Sequence, residues 1–320
     1  MLGPGNPVSR REALRIGSRT ALAVGGLVLA GYPAPVALGA PTGPLVTKPV
    51  PSSGERLPAV GVGTARRYDV GESGEARAPL REVLRDLPRL GGKVVDTAPS
   101  YGAAETVVGD LVAELGNRHE LFVATKVGRG RAGTAAGIAE MRQSLQRLRM
   151  ERVDLVQVHN LAGVDAMLPV LREWKREGRI RYYGVSTSSA RQYQALLELM
   201  RQQELDFVQV DYAIDNRAAA DRILPLAADR GIAVLVNLPF GRGRVLRAFG
   251  SRPLPDWAAE LGIASWAQFA LKYVISHPAV TCAIPGTAQR RYLADNLGAA
   301  REPLADAATR ERMAALIDSA

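Results

Sequence analysis

Four titratable side chains sit where short apolar runs of this chain come to an end. Val94-Val95 leads into Asp96, and Tyr101 follows five residues later, after Thr97-Ala98-Pro99-Ser100. Lys126 closes the run Leu121-Phe122-Val123-Ala124-Thr125, and His159 closes Asp154-Leu155-Val156-Gln157-Val158. Three consecutive strand-like runs that each end in an ionisable group exceed what packing alone requires. A free phenol, with a pKa near 10, is a poor proton donor at neutral pH. An ammonium within hydrogen-bond reach favours the phenolate and lowers that value, and a carboxylate keeps the ammonium charged. The expected chemistry is acid catalysis at a carbonyl oxygen. Tyr101 is the general acid, Lys126 tunes it, Asp96 holds Lys126, and His159 orients or polarises the carbonyl. Each residue also has a structural reading: Asp96 as a turn cap, Lys126 with Asp96 as a scaffolding pair, His159 as a satisfied core histidine. A Schiff-base lyase with Lys126 as nucleophile is a rival chemistry, opposed by the neighbouring carboxylate that keeps the amine charged.

The elements that must position these groups repeat. Short, Val-rich runs at 59–65, 93–98, 121–127, 154–160, 180–187, 207–213, 232–240 and 280–286 alternate with longer amphipathic stretches, among them 138–150, 165–177, 190–201 and 265–276. Near-continuous apolar runs such as Ile232-Ala233-Val234-Leu235-Val236 suit parallel strands buried on both faces. Eight such alternations in a chain of 320 residues predict an α/β fold of the (β/α)8 TIM-barrel type, which commonly takes about 250 residues. In a barrel, the C-terminal strand ends share one mouth, and so would the four candidate residues. Residues 242–262 break the rhythm and read as a long loop, and 306–317 read as a final outer helix.

The composition is that of a soluble globular protein, with 47% hydrophobic and 23% charged residues. The net charge of +9 comes from scattered arginines without a basic run or an aromatic-interleaved motif, which argues against nucleic acid and for a solvated basic surface. A basic mouth that attracts a phosphorylated cofactor fits the loop positions of several arginine pairs. The single cysteine, Cys282, excludes an intrachain disulfide and reads as a small buried residue. The three histidines, His119, His159 and His277, lack metal-ligand spacing, so no metal site is expected. At the N-terminus, Ser9-Arg10-Arg11 precedes the apolar run 21–30, which reads as a twin-arginine export signal over residues 1–40. The implied location is periplasmic, cytoplasmic before export, with membrane contact only through that signal. Residues 41–54 then read as a linker and 55–320 as the barrel.

The ordered set VVDTAPSYG, ATKVG, DLVQVHN, YYGVS, FVQVDY and AIPGT resembles the aldo-keto reductase superfamily, and more narrowly its bacterial members with twin-arginine signals. The resemblance spans roughly residues 55–300. It implies NAD(P)H-dependent reduction of a small aldehyde or ketone, or the reverse alcohol oxidation, with NADP the expected cofactor and NAD the alternative. By position, Ser186 and Gln209 would bind the carboxamide and Tyr212 would stack on the nicotinamide, with Gly63 and Thr64 beneath. Leu238, Phe240 and Gly241 would approach the pyrophosphate, and Gly286, Thr287, Arg290, Asp295 and Asn296 would hold the adenosine end. Three positions depart from the family pattern: Thr187 stands where relatives carry Asn, and Ala288 and Tyr292 stand where many carry cations, leaving Arg290 and Arg291 nearby. Gly128, Gly130 and Gly133 match G-x-G-x-x-G but lack the acidic strand end of a Rossmann fingerprint; they read as a mobile loop over the mouth whose arginines touch substrate or cofactor phosphate. Tyr68, Asn160 and Trp257 are candidate pocket walls, with Trp257 equally readable as a loop anchor. A non-catalytic dinucleotide-binding redox sensor remains a rival of a different class.

Overall fold

The computed structural model describes residues 45–319; the expected export segment lies outside the described residues. The chain enters through an antiparallel hairpin, β1 (Thr47–Pro49) and β2 (Arg56–Pro58). Eight short strands follow: β3 (Val62–Gly63), β4 (Val94–Asp96), β5 (Phe122–Val127), β6 (Val153–Val158), β7 (Ile180–Ser186), β8 (Phe207–Asp211), β9 (Ala233–Asn237) and β10 (Cys282–Ala283). They pair in parallel in chain order, and parallel bridges from Val60 to Ala283 and from Gly63 to Gly286 join the last strand to the first. The result is the expected (β/α)8 barrel. Around it run α1 (Gly74–Arg89), α2 (Ala104–Leu115), α3 (Thr134–Leu148), α4 (Val164–Arg176), α5 (Tyr193–Gln202), α6 (Ala219–Asp229), α7 (Arg244–Phe249), α8 (Trp266–Ile275), α9 (Arg290–Gly298) and α10 (Ala307–Asp318).

Strand alternation sorts the core into two clusters. Phe122, Ala124, Leu155, Tyr182, Phe207, Leu235 and Cys282 fill the barrel interior. Val123, Val156, Val158, Val208, Val210, Val234 and Val236 face the helices. Branched side chains on the outer face suit the half-flat surface that a helix packs against. Because side chains alternate strictly along a strand, the interior set also fixes which later residues point into the mouth: Asp96, Lys126, Gln157, Ser186, Gln209, Asp211 and Asn237 share its parity.

Two expectations change here. The linker read at 41–54 is instead part of the fold from β1 onward, because Val50 and Leu57 are fully buried and belong to the interior cluster with Phe122, Tyr182 and Phe207. The hairpin closes the barrel end opposite the mouth, and Tyr182 Oη donates to Glu55 at 2.6 Å across it. The stretch 242–262, read as loop, contains α7 and a helical turn at Asp256–Leu261. Phe249 is buried and stacks face to face on Trp266 at 3.8 Å between centroids, so a short helix forms where tertiary contact rewards it. Among the described residues no helix is long and apolar enough to cross a membrane.

The turns after β5 and β6 are pressed together. A Cβ on Gly163 would lie 2.1 Å from the Gly130 carbonyl carbon, and Gly163 has φ +77°. Gly163→Ala combines that backbone collision with left-handed strain of about 1–3 kcal/mol. Its urea midpoint should fall by an amount equivalent to about 3 kcal/mol, whereas Gly178→Ala, also at positive φ but facing open space, should lose much less.

Candidate active site

Lys126 is next to last in β5, with its side chain 2% exposed. Its ammonium donates to both carboxylate oxygens of Asp96, at 2.8 and 2.7 Å, and to the Thr97 carbonyl at 2.9 Å. Three donors therefore meet three acceptors. The same nitrogen lies 5.2 Å from the centre of the Tyr101 ring, and its positive charge acts on the Tyr101 phenol. The His159 ring stands edge-on to Tyr101, with centroids 5.9 Å apart at 85°, and His159 Nδ1 lies 3.4 Å from Ser100 Oγ. Asp96, Tyr101, Lys126 and His159, taken from three strand ends and one turn, converge as expected.

Burial sets the protonation states. It pushes the Asp96 carboxyl up, opposed by the charge and hydrogen bonds of Lys126. Burial would lower the lysine, but Asp96 and then Tyr101 outweigh it, and the ammonium is held above its ordinary range. Burial raises the Tyr101 phenol; Lys126 pulls the other way without prevailing, and Asp96 adds to the rise. The expectation that the lysine would bring the phenol below its free value is therefore not met in this structure, because desolvation is the larger effect. Tyr101 stands as a protonated phenol beside a buried cation, whose attraction offsets part of the cost of forming a phenolate there. His159 is lowered to about 4 by burial and by Lys126, so at neutral pH it is an uncharged imidazole that can donate one N–H.

A chain of amides beneath the tetrad was not anticipated. Gln157 Nε2 donates to Gln209 Oε1 at 3.1 Å, and Gln209 Nε2 donates to Asp96 Oδ2 at 3.5 Å. Gln209 thus steadies the Asp96 carboxylate, in addition to lying where the resemblance expects a carboxamide contact. Ser186 Oγ accepts from the Asn160 N–H at 3.4 Å and donates to the Val158 carbonyl at 3.4 Å, both long bonds. The second unanticipated residue is Asn237, at the mouth end of β9. Its Nδ2 donates to the Thr187 carbonyl at 3.1 Å, while its Oδ1 is buried with no partner among the described residues. Thr187 turns its hydroxyl to Gln192 at 2.6 Å, which explains how the rim tolerates the departure from Asn. An orphaned acceptor beside Ser186 and Gln209 fits the amide group of a nicotinamide. Interior parity with Ala233 and Leu235 was the available signal for Asn237.

The same parity corrects Tyr212. Three residues beyond inward-facing Gln209, it lies on the outer face, fully buried, with its hydroxyl accepting from Arg310 at 2.6 Å and its ring against Tyr273 and His277. It does not face the mouth and cannot stack there. Tyr68 is likewise fully buried in the outer core rather than lining a pocket. Trp257 packs on Phe269, and the Arg312 guanidinium lies 4.3 Å above its ring, so it anchors its loop against α8 and α10. Asn160 does sit at the rim, exposed and at φ 51°.

Where the resemblance places the adenosine, Arg290 pairs with Asp86 of α1 at 2.6 Å, which leaves Arg291 as the cation lying over the exposed Tyr292 ring at 4.7 Å. Asp295 accepts from Ser265 at 2.8 Å and from Gln268 at 2.9 Å, bracing the first turn of α8; its carboxylate serves the scaffold. Asn296 donates to Thr287 at 3.0 Å and Thr287 to Pro285 at 3.1 Å, shaping the turn that exposes Gly286. Gly63 pairs with Gly286, and Thr64 is buried with its hydroxyl on the Asp96 carbonyl at 3.0 Å. Leu238, at φ 52°, starts the tight turn through Phe240 to Gly241 after β9, a bend suited to a close backbone approach. The glycine-rich turn after β5 is not a mobile loop: Glu140 accepts from the Gly128 and Arg129 N–H groups at 2.6 and 2.8 Å, filling the cradle a phosphate would need.

Two partly buried imidazoles, His159 and His277, are both lowered to about 4, each first by burial and then by neighbouring cations. Unfolded, they take up protons near 6.5; folded, they resist until about 4. The stability they contribute is full above 6.5 and drains away as pH falls towards 4. Denaturant unfolding between pH 7 and 4.5 should show a steeper loss in the native chain than in a His159→Gln, His277→Gln double variant; equal losses would mean that the rings do not drive it.

The family model for the aldo/keto reductase family matches residues 59–316. The chain is 30% identical over 245 residues to the methylglyoxal reductase YeaE of Escherichia coli, covering 75% of this chain and 84% of that one. Among solved structures, an aldo-keto reductase from Bacillus halodurans in its holo form superposes with a TM-score of 0.68 at 25% identity, over 85% of this chain and 96% of that one. An aldo/keto reductase from Klebsiella pneumoniae in complex with NADP and acetate gives 0.68 at 26% identity, over 82% and 93%. With its tetrad assembled at the mouth of a closed barrel, the chain belongs to the aldo/keto reductase family and is an NAD(P)-dependent oxidoreductase.

Proposed function

We propose that this protein reduces the carbonyl group of a small aldehyde or ketone with NADPH, using Tyr101 as the general acid. The observation that carries the reading is the Lys126 ammonium, held by both oxygens of Asp96 and lying 5.2 Å from the centre of the Tyr101 ring. When bound, the nicotinamide supplies the hydride that no side chain can. Tyr101 donates its proton to the carbonyl oxygen as negative charge develops there, and Lys126 stabilises the phenolate left behind. His159, uncharged at neutral pH, directs an N–H towards the same oxygen. Asn237 Oδ1 and Ser186 suit the carboxamide, and the turns after β9 and β10 suit the phosphates. NADP is preferred over NAD because the Klebsiella structure holds NADP and Arg291 stands exposed at the start of α9.

The lyase reading is disfavoured, because an amine bonded to both oxygens of a buried carboxylate stays protonated and cannot attack a carbonyl. The redox-sensor reading is disfavoured by a phenol set beside a fixed ammonium and an uncharged imidazole, an arrangement that dinucleotide binding alone does not call for. Tyr101→Phe should lower kcat by at least about 1,000-fold on any carbonyl substrate, in the range by which acid catalysts contribute. The dissociation constant for NADPH, read by protein fluorescence, should stay within about twofold. A variant that kept most of its turnover would remove Tyr101 from the mechanism.

We further propose that the enzyme is exported by the twin-arginine route, on the support of Ser9-Arg10-Arg11 ahead of the apolar run 21–30. Fractionation of a bacterial host should find the native chain outside the cytoplasm and an Arg10→Lys, Arg11→Lys variant inside; equal distribution of the two would refute export by this signal.

A further inference from the structure

We infer that the preferred substrate is an anionic carbonyl compound, with a carboxylate or phosphate group apart from its C=O, and that Arg129 and Arg131 grip that anion. The inference rests on the carbonyl-reductase reading and narrows its substrate class. Both arginines belong to the helical turn Arg129–Ala132 that follows β5. Both are exposed, and neither side chain makes a hydrogen bond or ion pair among the described residues. No acid occurs in the mouth turns 97–103, 128–133 or 159–163, and the one carboxylate at the base of this turn, Glu140, bonds backbone N–H groups rather than either guanidinium. Unpaired arginines are ordinary on a solvated surface; the position and rigidity of these two set them apart.

Strand order supplies the position. In the ring β3 to β10, β5 and β6 lie four strands away from β9 and β10, on the opposite side of the mouth. The turns after β9 and β10 carry the residues suited to the dinucleotide, whereas Asp96, Tyr101, Lys126 and His159 come from β4 to β6 and their turns. A group bound beside the β5 and β6 turns is therefore close to the proton donor and far from the cofactor's phosphates. Other unpaired mouth arginines sit on the cofactor side: Arg67 lies against Gly286, and Arg242 is in the turn after β9.

Backbone packing supplies the rigidity. Glu140 fixes the start of the turn through two N–H bonds. Gly130 is buried against Ala162 and Gly163, and the Gly163 Cα faces the Arg131 backbone so closely that a Cβ there would be 2.5 Å from its nitrogen. The turn bearing the two guanidinium groups is thus bolted to the turn that begins with His159. A charge-assisted hydrogen bond to a ligand anion is worth about 1.5–3 kcal/mol, or roughly 10- to 150-fold in binding.

The test uses the full chain with NADPH and matched aldehydes: benzaldehyde against 4-carboxybenzaldehyde, and glyceraldehyde against glyceraldehyde 3-phosphate. The native enzyme should favour the anionic member of at least one pair by tenfold or more in kcat/KM, and the pair with the larger preference identifies the anion as carboxylate or phosphate. In an Arg129→Gln, Arg131→Gln double variant that preference should shrink at least tenfold, through KM rather than kcat, with the NADPH dissociation constant within twofold of native. Equal kcat/KM within both pairs would overturn the inference, as would a preference that survives the double substitution. Weaker NADPH binding by the double variant would overturn it too, by assigning the arginines to the cofactor. If the native enzyme turned over no aldehyde at all, the reductase reading itself would fall, taking the substrate class with it.

Discussion

A buried ammonium and a buried carboxylate can coexist in this barrel only because they bond each other and neighbouring polar groups take up what remains. Moving either ion out of water costs several kcal/mol, and removing one partner of such a pair typically costs about 3–5 kcal/mol. Lys126 avoids that penalty by spending all three donors on Asp96 and Thr97. Gln209 adds a bond to the carboxylate from below. The geometry that makes the pair tolerable also fixes a positive charge beside Tyr101. The site's electrostatics are therefore a condition of folding as much as a property of the finished enzyme, and the other members of the mouth are arranged around that fixed charge.

Burial has a double effect on Tyr101. It raises the phenol and so keeps it protonated at neutral pH. It also strengthens the attraction between Lys126 and any phenolate that forms, because charges interact more strongly away from water. The same cation helps to keep His159 uncharged. Burial thus keeps both neighbours of the lysine uncharged, the phenol against the pull of Lys126 and the imidazole with its help.

The barrel divides its labour between its two ends. At the closed end, the hairpin plugs the interior with Val50 and Leu57, and Tyr182, Glu55 and Ser53 tie it down. That end is rigid and apolar inside. At the mouth, every strand that points a residue inward ends in a polar or small one, and the turns carry the cations. Glycines let the β5 and β6 turns touch, so the proton-transfer groups and the arginine-bearing turn form one block, set across the ring from the turns suited to the dinucleotide.

The order of elements and the tetrad were legible in the chain itself. Val-rich runs of strand length ending in Asp96, Lys126 and His159 report local structure, and local structure depends on side-chain periodicity that the sequence displays directly. Tyr212 and Asn237 show where that reading stops. An aromatic after a strand looks like a stacking platform, but whether it faces the mouth or the helices depends on register, and only the inward set anchored by Phe207, Gln209 and Asp211 settled it. The hairpin in the supposed linker, the helix α7 in the supposed loop and the anchoring of Trp257 all come from contacts with residues far along the chain, which no local pattern encodes. The sequence alone determined which residues could do the chemistry and that they lie at strand ends. The tertiary structure decided which of them face one another, and how strongly burial shifts their protons, because both depend on distances through space and on the exclusion of water by neighbours remote in sequence.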